Sequence, residues 1–128
     1  MMSVSSLESF VETIDIFDVK AHLTFMLAEH FHPSEQERRR QQPVQSIAGR
    51  IALKTAVCGL AKKYFPTLCL SQRDVVIDTA SDGAPVITDI FTEDEAAAAL
   101  LKSAVFVSIS HSRTRAAGMA CIATRGGC

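Results

Sequence analysis

An α+β fold is predicted, with helices packed on an antiparallel sheet in the order β-α-α-β-β-α-β-β. Three observations predict it. Runs rich in β-formers, with alternating character, lie towards both ends of the chain, at 10–17, 105–109 and 116–123. A long helical pattern at 43–64, bounded by Pro43 and Pro66, fills the middle. Two short strands at 75–79 and 85–90 are joined by Ala80-Ser81-Asp82-Gly83-Ala84, which reads as a hairpin loop and not as a parallel crossover.

The elements follow in order. Residues 1–7 read as a loose terminus and 10–17 as the first strand. Asp18 is placed to cap a helix running to about Phe31, because Val19, Leu23, Met26, Leu27 and His30 recur at helical spacing. Pro33-Ser34 breaks that helix, and the polar stretch 34–42 is expected to be a short exposed helix or an ordered loop. Pro43 opens the longest helix, with Val44, Ile47, Ile51, Val57 and Leu60 as its apolar stripe. After the hairpin, Thr92 is the expected cap of a further helix, with Glu95 completing a capping box and 96–102 continuing it. The last strand pair turns at 113–115, and 125–128 are expected to fray.

A chain of 128 residues is read as one domain. Its 48% apolar content and mean hydropathy of +0.19 leave surplus apolar surface of the kind that subunit interfaces absorb. A net charge of −1 argues against recruitment by nucleic acid or an anionic membrane, and Arg38-Arg39-Arg40 and Lys62-Lys63 read as solvated surface. The cysteines at 58, 69, 121 and 128 show no metal-ligand spacing, and Cys58 and Cys121 are expected to be small core residues. No apolar run approaches the ~20 residues that a membrane span needs, and no secretory signal is visible. A reduced, cytoplasmic protein is expected. Neither GxGxxG nor a P-loop is present.

The chemistry is concentrated in three short stretches. Arg50 and Lys54 stand one helical turn apart in Ala48-Gly49-Arg50-Ile51-Ala52-Leu53-Lys54-Thr55-Ala56, so two cations are expected to project towards one anion. Ser108-Ile109-Ser110-His111-Ser112 brings hydroxyls and an imidazole to a strand end, groups suited to phosphate. Ile14-Asp15-Ile16 places a carboxylate at another strand end, and Gly83-Ala84-Pro85 lies in the hairpin between them.

Together these stretches resemble the 4'-phosphopantetheinyl transferases of the holo-acyl-carrier-protein synthase type, over nearly the whole chain. The resemblance implies an ancestral activity: magnesium-dependent transfer of 4'-phosphopantetheine from coenzyme A to a carrier-protein serine. It also implies a homotrimer with sites between subunits. Asp15 then matches a metal ligand, and Arg50, Lys54, Gly83, Pro85, Ser108, Ser110, His111 and Ser112 match positions around coenzyme A. Glu35 and Lys54 join Asp15 as the catalytic candidates. The partner implied is an acyl carrier protein, or an enzyme of a fatty-acid or polyketide-type pathway.

The departures are ordered too. The family pattern Arg-x-x-x-Lys-Glu-Ala has its magnesium-binding Glu replaced by Thr55, and a second Lys replaced by Gly59. Phe106 stands where many members have His, which suggests a more apolar cleft suited to an acyl-pantetheine. The helix after Asp15 offers only Lys20 to an acidic carrier. His30 and His32 are candidate ligands for a softer metal. These losses turn the reading away from efficient transfer and towards the alternative, a non-catalytic coenzyme A or acyl-pantetheine-binding subunit or scaffold.

Overall fold

The structure is a computed structural model that describes residues 5–125. Its elements are β1 (Ser5–Asp15), α1 (Ile16–Ala21), α2 (Leu23–His30), α3 (Pro33–Arg40), α4 (Val44–Tyr64), β2 (Val75–Thr79), β3 (Pro85–Ile90), α5 (Glu95–Ala104), β4 (Val105–His111) and β5 (Arg115–Arg125). A single 3-10 turn, Gln72–Asp74, precedes β2. The α+β expectation holds, but the strands form two antiparallel sheets, β1-β5-β4 and β2-β3, instead of one.

The long helix and the central hairpin fall where the sequence places them. Other boundaries shift for local reasons. The first strand begins at Ser5, not at residue 10, and ends at Asp15, because it pairs along its whole length with β5 from Ser5↔Arg125 to Asp15↔Arg115. Of the two tails expected, residues 1–4 and 126–128 lie outside the described residues; the remainder is strand. Asp15, not Asp18, caps the next helix: its Oδ1 accepts from Phe17 N at 2.8 Å and from Asp18 N at 3.3 Å. That helix also breaks once, at His22, into α1 and α2. At α5 the cap is Asp94, whose Oδ1 accepts from Ala97 N at 3.0 Å, while the Thr92 hydroxyl, two residues earlier, accepts from Asp94 N at 3.3 Å.

Helix α4 is the axis of the molecule. The sequence suggests a single apolar stripe, yet the helix is buried on nearly every side from Ile47 to Ala61, Arg50 and Lys54 included. One side lies on the three-stranded sheet, where Ala116, Gly118 and Ala120 alternate along β5 to give a flat, small-residue face. A Cβ on Gly118 would stand 2.2 Å from Leu53 N, so the helix backbone rests directly on the strand. A core of Leu53, Val57 and Leu60 with Ile77, Ile87, Ile90 and Leu101 joins α4 to the small sheet and α5. A second core, Ile16, Val19, Leu27, Phe31, Ile47 and Ile51, joins it to α1 and α2. Among the described residues no helix covers the far face of the three-stranded sheet, where Val11, Phe106 and Met119 are exposed.

Candidate functional site

Three elements converge around Arg50. Helix α4 holds its side chain 93% out of solvent, against the β2–β3 hairpin and the end of β4. Arg50 Nη2 donates to Thr79 Oγ1, at the end of β2. Its Nε is buried and has no partner. A buried guanidinium with an unused donor is costly unless something anionic completes it. A cavity of about 180 Å³ opens there, lined by Arg50, Gln45, Ser46, Gly83, Pro85 and His111, with Ile109 behind. Gly83 takes φ +90°, a turn conformation that L side chains rarely adopt. Four of the residues expected around a phosphate, Arg50, Gly83, Pro85 and His111, are therefore brought together.

His111 is also a wall of a second cavity, about 310 Å³, with Thr13, Ser110, Ser112, Arg115, Ala116 and Ala117. Here the Ser112 hydroxyl closes the β4–β5 turn, accepting from Thr114 N at 3.3 Å and Arg115 N at 3.2 Å. The Arg115 guanidinium reaches back across β5 to donate to Thr13 Oγ1 at 3.1 Å. Ser108, by contrast, points from the exposed face of β4 and lines none of these cavities.

Lys54 departs from the sequence expectation. It does not project beside Arg50 towards an anion; it is fully buried, its Nζ donating to Glu35 Oε1 at 2.6 Å and to the Gln72 and Val75 carbonyls. The ammonium also lies 4.6 Å from the centroid of the Phe31 ring. Burial lowers its pKa, and the adjacent Glu35 carboxylate opposes the shift. Glu35, likewise buried, accepts from His32 N at 3.0 Å and Ile77 N at 3.3 Å. These two catalytic candidates are thus bonded to each other inside the fold.

Nor is α3 simply exposed. Arg39, read as part of a solvated basic run, is buried, bonding the Ile77 carbonyl, Asp78 at 3.2 Å and Gln42 at 2.9 Å. Its spacing of four from Glu35 is the one sequence signal that both belong to the inner face of this helix.

The metal-ligand candidates fit a divalent cation poorly. One oxygen of Asp15 is spent on the α1 cap. The Thr55 hydroxyl donates to Ile51 O at 2.9 Å and accepts from Gln72 Nε2, whose Oε1 meets His30 Nδ1. The position expected to hold a second carboxylate is therefore a neutral, already satisfied hydroxyl, whereas magnesium favours hard anionic oxygens. Among the described residues no group of three or more His, Cys, Asp or Glu is placed to hold a metal. His30 and His32 have separate partners: the first is bonded to Gln72, and the second stacks on Phe91 at 4.2 Å and bonds Ser34.

Thr55 opens instead onto another cavity, of about 660 Å³, with Glu12, Cys58, Gly59, Lys62 and Leu70 among its walls. It follows Arg50 by five residues, about 140° around the helix, so this cavity and the Arg50 cavity lie on different sides of α4. Cys58 is half-buried there and its thiol pKa is pushed up to about 12 by burial, which keeps it protonated and unreactive. Cys121 is buried, as expected. Phe106 is exposed on the far face of the three-stranded sheet and lines none of these three cavities.

No family model and no curated protein matches the chain. Solved structures do. The chain is similar to the apo acyl-carrier-protein synthase of Chronobacterium ammoiniagenes at 16% identity and a TM-score of 0.71, over 96% of this chain and 100% of that one. It is similar to the holo-[acyl-carrier-protein] synthase of Helicobacter pylori, solved with coenzyme A, at 24% identity and a TM-score of 0.65, over 91% and 100%. The holo-acyl-carrier-protein synthase of Plasmodium yoelii matches at 14% identity and a TM-score of 0.68, over 96% and 99%. The fold is that of the holo-acyl-carrier-protein synthases.

Proposed function

We propose that this chain binds coenzyme A by its phosphates and descends from transferases that move 4'-phosphopantetheine to a carrier-protein serine. One observation carries the reading: Arg50, Gly83, Pro85 and His111, from three separate elements, line one cavity, and the Arg50 guanidinium there has a buried donor left over. Coenzyme A is the ligand class because the Helicobacter pylori synthase of the same fold was solved with it. In this chain Arg50 and His111 would hold phosphate, and the Gly83 turn would let backbone approach it.

The ancestral transfer needs more than binding. A serine hydroxyl attacks the phosphorus bearing the pantetheine arm, the bond to 3',5'-ADP breaks, and a base takes the serine proton. A magnesium ion would neutralise the pyrophosphate, but the residues around Asp15 and Thr55 do not build its site. Glu35 is not free to act as base, since Lys54 and two backbone amides hold it. Binding without efficient transfer is therefore the reading the residues favour, within a fatty-acid or polyketide-type assembly that contains a carrier protein or biosynthetic enzyme. A homotrimer accompanies it. The bare face of the three-stranded sheet needs a cover, and the placement of Thr55 and Arg50 on different sides of α4 suits a ligand held between two copies.

Calorimetric titration with coenzyme A tests this. The wild type should bind, and Arg50→Gln, checked for folding by circular dichroism, should weaken binding about 10- to 100-fold. No binding by the wild type would end the coenzyme A reading and leave a scaffold. Transfer to a carrier protein at rates typical of enzymes would restore full catalysis.

A further inference from the structure

We propose that helix α3 sets the direction of the Arg50 guanidinium through the end of β2, with Thr79 as the positioning residue and Arg39 as its anchor. The inference rests on the phosphate-binding reading above and says what holds that site's cation in place. An arginine side chain has much rotamer freedom to lose when a ligand fixes it. A guanidinium already held by a neighbour therefore binds an anion more tightly.

Thr79 is that neighbour. Its hydroxyl accepts from Arg50 Nη2, and its cross-strand partner is Pro85, a wall of the Arg50 cavity. Thr79 is exposed at a strand end, so its own place depends on how that strand is held. Two residues back, α3 takes both backbone groups of Ile77: Glu35 Oε2 accepts from its N–H at 3.3 Å, and Arg39 Nη2 donates to its carbonyl. Glu35 and Arg39, one helical turn apart, thus serve the backbone of β2 as a neighbouring strand would. Arg38 and Arg39 each take one oxygen of Asp78 at 3.2 Å, and Arg39 is buried where it does so. Asp78, the carboxylate next to Thr79, is thereby occupied, and among the described residues Arg50 has no ion pair. The same contacts fix the acceptor of Arg50 and keep the adjacent carboxylate from neutralising it.

The test reads the full chain first without ligand and then with coenzyme A. The Arg50 Nε–H is buried, so nitrogen-15 NMR should show it protected from exchange in the wild type. The signal, assigned by its loss in Arg50→Gln, should disappear in Thr79→Val and persist in Thr79→Ser. Valine keeps the branched shape and the strand preference, so the melting temperature should not move. Calorimetric affinity for coenzyme A should fall about 3- to 10-fold in Thr79→Val and return in Thr79→Ser. Arg39→Lys keeps the charge and loses the planar fork. It should weaken binding in the wild-type background and add nothing in Thr79→Val, because both changes act on one contact. An Arg50 signal unprotected in the wild type, or unchanged in Thr79→Val, overturns the proposal, as does unchanged or tighter binding by that variant. Additive losses overturn the role of Arg39. A Thr79-dependent Arg50 signal in a wild type that binds no coenzyme A removes the ligand reading and keeps the positioning one.

Discussion

Lys54 shows how a residue can match a motif in sequence and still leave its expected place in space. Its spacing from Arg50 is that of two cations on one helix face, but the ammonium turns inward to Glu35, two carbonyls and the Phe31 ring. A buried ion pair is costly to break from one side, because the partner is left charged and desolvated. Lys54→Met is therefore expected to lose about 3–5 kcal/mol of stability in urea denaturation. The double variant Glu35→Gln with Lys54→Met should recover part of that loss, since it leaves no unpaired buried charge, although Gln keeps an acceptor for only one of the two amides, His32 N and Ile77 N, that Glu35 serves. Equal destabilisation of the single and double variants would mean that the pair has no such role. Nothing local in the sequence separates Lys54 from a solvated lysine; its burial follows from β2 and α3 closing over α4.

Among the elements, α4 and β5 depend on each other most closely. The Ala116, Gly118, Ala120 alternation is legible as a strand with one small-residue face, but the reason for it is the helix backbone above. Gly118→Ala would push a Cβ into Leu53 N, Leu53 Cα and Ala52 C at 2.2–2.6 Å, and backbone cannot rotate out of the way. A loss of about 3 kcal/mol is expected, measured as a drop in melting temperature. Gly59 is the internal control. A Cβ there first meets the edge of the Phe10 ring, at 3.2 Å, a side chain that can shift, and alanine favours the helix by about 1 kcal/mol, so Gly59→Ala should be neutral or stabilising. If both substitutions behaved alike, close helix–strand contact would not explain Gly118.

For the whole molecule, the open question is what covers the three-stranded sheet. Val11, Phe106 and Met119 form an apolar patch on a face that the chain's own helices leave bare, and Met119 sits at its centre, opposite Val11 on β1 and Ser108 on β4. The homotrimer proposal predicts a species of three chains in light scattering after gel filtration. Met119→Glu should shift it to monomer while circular dichroism stays unchanged, because the side chain is outside both cores. A monomeric wild type would end that proposal. No helix among the described residues is long and apolar enough to cross a membrane.

The sequence by itself determined the elements whose signals are local: the Pro-bounded helix at 43–64, the hairpin around Gly83 and the antiparallel strands. It also put Arg50, Gly83, Pro85 and His111 in one functional set, which the fold then gathered around one cavity. Tertiary structure alone decided which charges face inwards. Arg39, Glu35 and Lys54 stand in polar or mixed stretches, and each is buried only because partners 19 to 42 residues away meet it there. It also decided that Asp15 ends a strand and caps a helix at once, and that Arg115 shares a cavity with His111. Periodicity reports which way a side chain points along its own element. Whether that direction is solvent, core or ligand is settled by the elements that pack against it.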